Sequence, residues 1–264
     1  MNDSAEGFCN VISGFPNYNE KNERYDLILK TWTGDSGWLP SEDEYNEYIG
    51  SMSEIEPSVP ELLDSARISC FTNSAINPTM WAHYARNRTG ICIEYDEEKI
   101  KELEDAYVFD VKYLVRPPTV DTAVLTLIAD QVEYNNDALF KGYTDGHEPL
   151  YEQAFEEGRV LLWEIYNGML ATKSKEWSYE QEKRLIYILS FLKEEQLAKA
   201  DKSGLNIPLP KGCIKSVILG ERTTVHDKNL VVSAIKKHEW SIKLQRVERK
   251  QGDYFLSIRD EDFN

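Results

Sequence analysis

Apolar positions along this chain recur in two rhythms, and the change between them marks its elements. Two short β-rich runs, 68–72 (Ile-Ser-Cys-Phe-Thr) and 91–95 (Ile-Cys-Ile-Glu-Tyr), flank a segment with helical spacing. Asn77 is placed to cap that helix and Pro78 to take its first position, where proline loses no intrahelical bond. Met80 and Tyr84 then fall one turn apart, Trp81 and Tyr84 share an adjoining stripe, and His83 lies on the flank beside Asn87. Gly90 marks the turn into the second strand.

A third strand is expected over 106–114, ended by Pro117-Pro118, which neither donates to a ladder nor continues a helix. Helical periodicity then covers 120–140 and 150–172, with a glycine-containing loop over 141–147 between them. Further strands are expected at 182–192, 214–219, 240–247 and 254–258, with a helix over 227–238. The last two strands read as a hairpin turning at Gln251-Gly252-Asp253. Residues 1–65 read as mostly irregular and acidic, with Tyr45, Tyr48 and Ile49 as the buried side of one short helix. Runs of helices and runs of strands segregate in this order. They predict an α+β fold, a single domain with a mixed, mostly antiparallel sheet covered by several helices. The main domain is expected over 66–264, after the 1–65 segment.

Composition adds boundaries. Of 264 residues, 41% are hydrophobic and 11% aromatic, as in a globular chain. The longest apolar stretches are far shorter than the roughly 20 residues of a membrane helix. The first ten residues lack the basic-then-apolar order of a signal peptide, so a cytoplasmic protein without membrane association is expected. Cysteines at 9, 70, 92 and 213 form no Cys-x-x-Cys pair, and buried, reduced thiols are expected. The formal charge of −16, from 46 acidic against 30 basic side chains, disfavours non-specific nucleic-acid binding.

Chemistry concentrates in two places. One is the Trp81-His83-Tyr84 helix; its histidine is either a packed ring or a functional one. The other is the stretch 173–184, in which an extended backbone would set Glu180, Glu182 and Arg184 on one face. Two carboxylates beside a guanidinium can poise an acid or base, or can form an ordinary bridged strand face. The remaining histidines, His147, His226 and His238, have no partner at metal spacing, so no metal site is expected. Asp110-Val111-Lys112 has the acid-x-lysine form of some metal-dependent nucleases. Phosphate-loop, dinucleotide-fold and serine-hydrolase glycine signatures are all missing.

These motifs together resemble a bacterial family, domain of unknown function 2971. The resemblance rests on Cys70-Phe71-Thr72, Met80-Trp81-Ala82-His83-Tyr84-Ala85, Gly90-Ile91-Cys92-Ile93 with Tyr95-Asp96, and Lys173 with Trp177, Tyr179, Glu180, Glu182 and Arg184. It continues through the late strand into Gly220-Glu221-Arg222 and covers about residues 66–260. Family members carry an Asn-Asp-Pro-x-Glu segment after an opening strand or two, and Asn2-Asp3-Ser4-Ala5-Glu6-Gly7 looks like it, with Ser4 for proline. The resemblance thus implies a chain that begins inside a motif. The late Glu-x-Glu is similar to that of ADP-ribosyltransferases, which use a strand-borne glutamate to stabilise a ribosyl cation. That likeness implies NAD or a related nucleotide as the small-molecule partner, with Glu182 as the stabilising carboxylate and Glu180 orienting an acceptor. His83, Trp81 and Tyr84 would line the nucleotide pocket, and Arg184 or Lys173 would pair with a phosphate or fix the carboxylates. Two alternatives stand beside it: a metal-dependent nuclease using Asp110, Lys112 and the Glu180–Glu182 pair, and a non-catalytic anti-phage defence or toxin-partner domain in which both motifs brace the core.

Overall fold

A computed structural model describes residues 9–34, 36–189, 192, 197, 200–201, 204–249, 252 and 254–263. The motif expected at residues 2–7 lies outside them, as do Gln251 and Asp253 of the expected turn. Along the chain run β1 (Asn10–Ile12), α1 (Glu23–Thr33), α2 (Glu42–Ile55), α3 (Val59–Asp64), β2 (Ala66–Thr72), α4 (Pro78–Tyr84), β3 (Ile91–Tyr95) and α5 (Glu97–Lys101). Next come β4 (Tyr107–Asp110), β5 (Lys112–Leu114), β6 (Thr119–Asp121), α6 (Thr122–Lys141), α7 (Glu148–Leu170), β7 (Thr172–Ser174) and a 3₁₀ turn, Lys175–Glu180. The remainder is β8 (Glu182–Ile188), β9 (Ala200–Asp201), β10 (Gly204–Leu205), β11 (Ile214–Leu219), α8 (Val225–Lys237), β12 (Lys243–Arg249) and β13 (Leu256–Asp260). The fold is α+β, 45% helix and 23% strand, with mixed sheets and helices packed on them. Two compact units divide the chain, Met1–Ala66 with Lys112–Lys175, and Arg67–Val111 with Glu176–Asn264.

The first unit is mainly helical. Where the sequence reading expects one short helix in otherwise irregular chain, α2 forms at that helix and α1 and α3 form beside it, because each start carries a side-chain cap: Asn22 for α1, and capping boxes Ser41/Glu44 and Ser58/Glu61 for the other two. Tyr25, Ile28, Tyr45, Ile49 and Met52 of α1 and α2 bury against Ala123 and Leu127 of α6. Tyr45 and Ile49 therefore face the core as expected, and they share it with a helix the apolar pattern does not announce. Helices α6 and α7 pack side by side, and a Cβ at Gly158 would stand 2.6 Å from Val132 Cγ2. Arg24 clamps Asp121 through two bonds of 2.7 and 2.9 Å, and Asp121 in turn caps α6. Parallel pairs β1–β6 and β5–β7 complete this unit's ladders.

The second unit holds a four-stranded sheet in the order β13-β12-β11-β3 and a three-stranded one in the order β2-β8-β4. In the larger sheet β11 runs parallel to β12 and antiparallel to β3, and β12–β13 is the expected antiparallel pair. Alternation sends its side chains to two sides. Ile218 and Val247 pack with Leu256 against Trp81 and Ala85, whereas Val217, Leu219 and Leu244 pack against Val232 and Ile235 of α8. The single strand expected over 106–114 is two strands: β4 pairs with β8, and β5 pairs with β7 in the other unit. The break falls at Val111, whose amide bonds Glu182 O while the next amide, of Lys112, bonds Ala171 O.

All four cysteines are free thiols, yet only Cys213 is buried. Cys70 is exposed on β2, an outer strand of its sheet, which corrects the expectation of buried thiols. Among the described residues no helix is long and apolar enough to cross a membrane.

Candidate functional site

The two sequence motifs meet inside the second unit. Helix α4 starts where expected: the Asn77 side chain accepts from Thr79 N at 2.9 Å and from Met80 N at 3.4 Å, and Pro78 opens the first turn. Its amide also donates to the carbonyl of Tyr179, so one asparagine caps the helix and holds it to the 3₁₀ turn. That turn is fixed from the other side as well, by Thr72 Oγ1 donating to Glu180 O at 2.6 Å and Asn73 N donating to Gln181 O at 3.0 Å.

Glu180 therefore does not lie on the strand. It closes the 3₁₀ turn, and Gln181 at φ 47° breaks the backbone before β8 begins at Glu182. The expectation that Glu180, Glu182 and Arg184 share one extended face is corrected by this bend. Glu180 is 2% exposed, and its Oε1 accepts from Tyr84 OH at 2.6 Å, a charge-assisted length. Tyr84 is 52% exposed, so its phenol links a buried carboxylate to the surface. His83 is exposed beside it, edge-on to the Tyr179 ring at 6.2 Å and 6.3 Å from the Tyr84 ring. Among the described residues the His83 imidazole makes ring contacts and no hydrogen bond.

Glu182 and Arg184 form a separate, interior pair. They are 5% and 1% exposed, joined by Arg184 Nε to Glu182 Oε1 at 2.8 Å. The pattern of the strand explains why: residues two apart on β8 point the same way, here into the protein. Trp81 is also interior. It is 3% exposed, its indole donates to Ala75 O at 2.7 Å, and it packs in the core of the larger sheet. The expected part for Trp81 in stacking on a nucleotide is thereby corrected: an indole closed in by Ile218 and Val247 has no free face. Lys173 is buried on β7 of the first unit. Asp110 is exposed and bridged by Lys183 at 3.3 Å, and Lys112 belongs to the first unit. Among the described residues no group of three or more His, Cys, Asp or Glu side chains is arranged to hold a metal ion.

Residues 80–185 match the family model described as "Protein of unknown function (DUF2971)". This segment is similar to members of that family. The DUF2971 match begins in α4 and ends in β8, so it encloses His83, Tyr84, Glu180, Glu182 and Arg184. No curated protein and no solved structure matches the chain. Spacing could not pair Tyr84 with Glu180, 96 positions away, or single out Thr72 and Tyr179 as the contacts that fix the turn. A usable signal existed in the Asn77-Pro78 start, because an asparagine cap has a side-chain amide left over for a second bond.

Proposed function

We propose that Glu180, Tyr84 and His83 form the reacting end of an ADP-ribosyltransferase-like site that takes NAD or a related nucleotide. In this reading Glu180, and not Glu182, is the carboxylate that acts. The glycosidic bond between the ribose anomeric carbon and nicotinamide breaks, and nicotinamide leaves with the bonding electrons. Positive charge develops on the ribose, where a fixed carboxylate stabilises it most in a water-poor setting. An acceptor nucleophile or water then attacks that carbon and gives up a proton. Tyr84 positions the carboxylate, its exposed ring offers a face to a base, and His83 offers a donor to a ribose hydroxyl or a phosphate. The observation that carries the reading is the 2.6 Å bond between Tyr84 OH and Glu180 Oε1, at a surface that His83 shares.

The test is nicotinamide release from NAD, followed by chromatography, with and without candidate protein and nucleic-acid acceptors. Glu180→Gln is expected to lower release by about 10²-fold or more, the usual loss for one preorganised charge-stabilising group. Absence of both nicotinamide and modified product in the parent protein, or full activity in Glu180→Gln, would sink the proposal. A second reading is supported by the interior Glu182–Arg184 pair: a non-catalytic anti-phage defence or toxin-partner domain in which this pair and the α4 motif brace the core. It predicts that Glu180→Gln lowers stability and that no preparation turns over NAD.

A further inference from the structure

A shallow cavity of ≈ 300 Å³, largely open to solvent, lies in the second unit between the turn that follows α4 and the first half of α8. None of His83, Tyr84, Glu180 or Glu182 lines it. Its walls carry two opposite charges, Arg86 and Asp227, over an apolar surface of Ile91, Leu230 and Val231. These charges do not meet each other. Among the described residues the Arg86 guanidinium makes no ion pair or hydrogen bond, and Asp227 spends one carboxylate oxygen on its own helix cap, accepting from Thr224 Oγ1 at 2.8 Å. Ile91 and Leu230 are 41% and 57% exposed, so the apolar surface is open to a ligand.

The wall that carries Arg86 is held rigidly in an uncommon shape. Arg86, Asn87 and Arg88 have φ of 45°, 54° and 71°, three consecutive non-glycine residues in left-handed backbone. Such conformers persist only where surrounding structure over-determines them. Here Asn87 N bonds Ala82 O, Arg88 N bonds Trp81 O at 3.1 Å, and Arg88 O accepts from Arg222 N at 2.9 Å. Arg86 is thus presented from a fixed frame, which limits the ordering cost of binding through it.

We propose that this cavity binds a small zwitterion with an apolar body, of the free α-amino acid type. The carboxylate would pair with Arg86, whose planar fork matches it, the ammonium with the open oxygen of Asp227, and the side chain would cover Ile91 and Leu230. A volume at the low end of ligand pockets fits a single residue better than a nucleotide.

The experiment is a heteronuclear NMR titration of the full chain with L-leucine, N-acetyl-leucine, which lacks the ammonium, and leucinamide, which lacks the carboxylate. Leucine at about 10 mM should shift the amides of residues 86–91 and 227–231, with a Kd on the order of 1 mM. Each analogue should bind about tenfold or more weakly, since a charged wall group is then left unpaired. Arg86→Gln should remove the preference for leucine over leucinamide, and Arg86→Lys should keep part of it. The same spectra report folding of each variant. No shift in these two segments, equal binding of the three compounds, or an unchanged preference in Arg86→Gln would each overturn the assignment.

Discussion

Glu180 and Glu182 stand two positions apart and meet different partners. Glu180 takes the phenol of a half-exposed tyrosine, while Glu182 is shut in with Arg184. A buried carboxylate that loses its guanidinium keeps its desolvation cost and loses the charge that offset it. Arg184→Met is therefore expected to lower folding stability by about 3–5 kcal/mol. The reading is a lower urea midpoint at an unchanged slope. His83→Ala, at an exposed ring with no hydrogen bond among the described residues, should stay within about 0.5 kcal/mol of the parent. Equal midpoints for Arg184→Met and the parent would show that the interior pair does not brace the fold. Gly220 makes a second prediction at this scale. A Cβ there would lie 2.2 Å from Arg88 O, a backbone atom already pinned by Arg222 N, so neither side can step away. Gly220→Ala should cost about 1–3 kcal/mol through overpacking, again read from the midpoint. The residue types were visible in the chain, but which glutamate meets Tyr84 and which meets Arg184 was not. That choice depends on a single left-handed residue, Gln181, whose conformation a period-two reading cannot register.

Helix α4 spans seven residues, too few to hold itself together without its ends. Asn77 supplies both the cap and the tie to Tyr179 O, and exchange at this position separates the two parts. Asn77→Asp keeps an acceptor for Thr79 N and loses the donor to Tyr179. Asn77→Ala loses both and should cost about 1–2 kcal/mol for the cap alone. If the tie also positions Glu180, Asn77→Asp should weaken nicotinamide release more than it weakens stability. Equal losses in the two measurements would make the tie purely structural. This element was legible because capping chemistry is local: an asparagine followed by proline and an aromatic stripe needs no distant partner. Of the helices before residue 65 only the one carrying Tyr45 and Ile49 was expected, and the rest were hidden for the opposite reason. The apolar faces of α1 and α2 are narrow and interrupted by acids, and both helices become stable by packing on α6, about eighty positions later. Ser41/Glu44 and Ser58/Glu61 were local signals for two of them, since serine followed three positions later by glutamate is the pattern of a capping box at a helix start. The strand over 106–114 failed in another way. Most of its residues are β-formers, and only the partners of Val111 and Lys112 decide that the strand divides.

Across the molecule, several carboxylates are held by hydrogen bonds that favour their charged form, and the consequence for acid stability has one sign. Glu261 is the best-buried example, pulled below its ordinary value of 4.5 first by the bond from Arg246, against desolvation, with Lys228 adding to it. Its oxygens stand 3.0 Å from Arg246 Nε and 3.1 Å from Lys228 Nζ, which ties the end of β13 to β12 and α8. Glu97 is lowered by Lys183 and then Lys101, and Glu44 and Glu61 by their capping serines. For each of these groups the unfolded chain binds more protons than the folded one once the pH falls below about 4.5. Stability contributed by these groups is then complete above that pH and is lost as pH drops through each folded value. The prediction is a folding free energy that falls steeply below about pH 4.5 for the parent. Glu261→Gln removes one such group, so its stability should begin lower at neutral pH and fall with a shallower slope in acid. Urea titrations at a series of pH values measure both quantities. Parallel curves for the two proteins would mean that the contacts joining β12, β13 and α8 contribute nothing that depends on charge. A convergence of the curves at low pH would place the acid sensitivity of this strongly acidic protein in specific bonds rather than in its overall charge of −16, which itself shrinks as the carboxylates protonate.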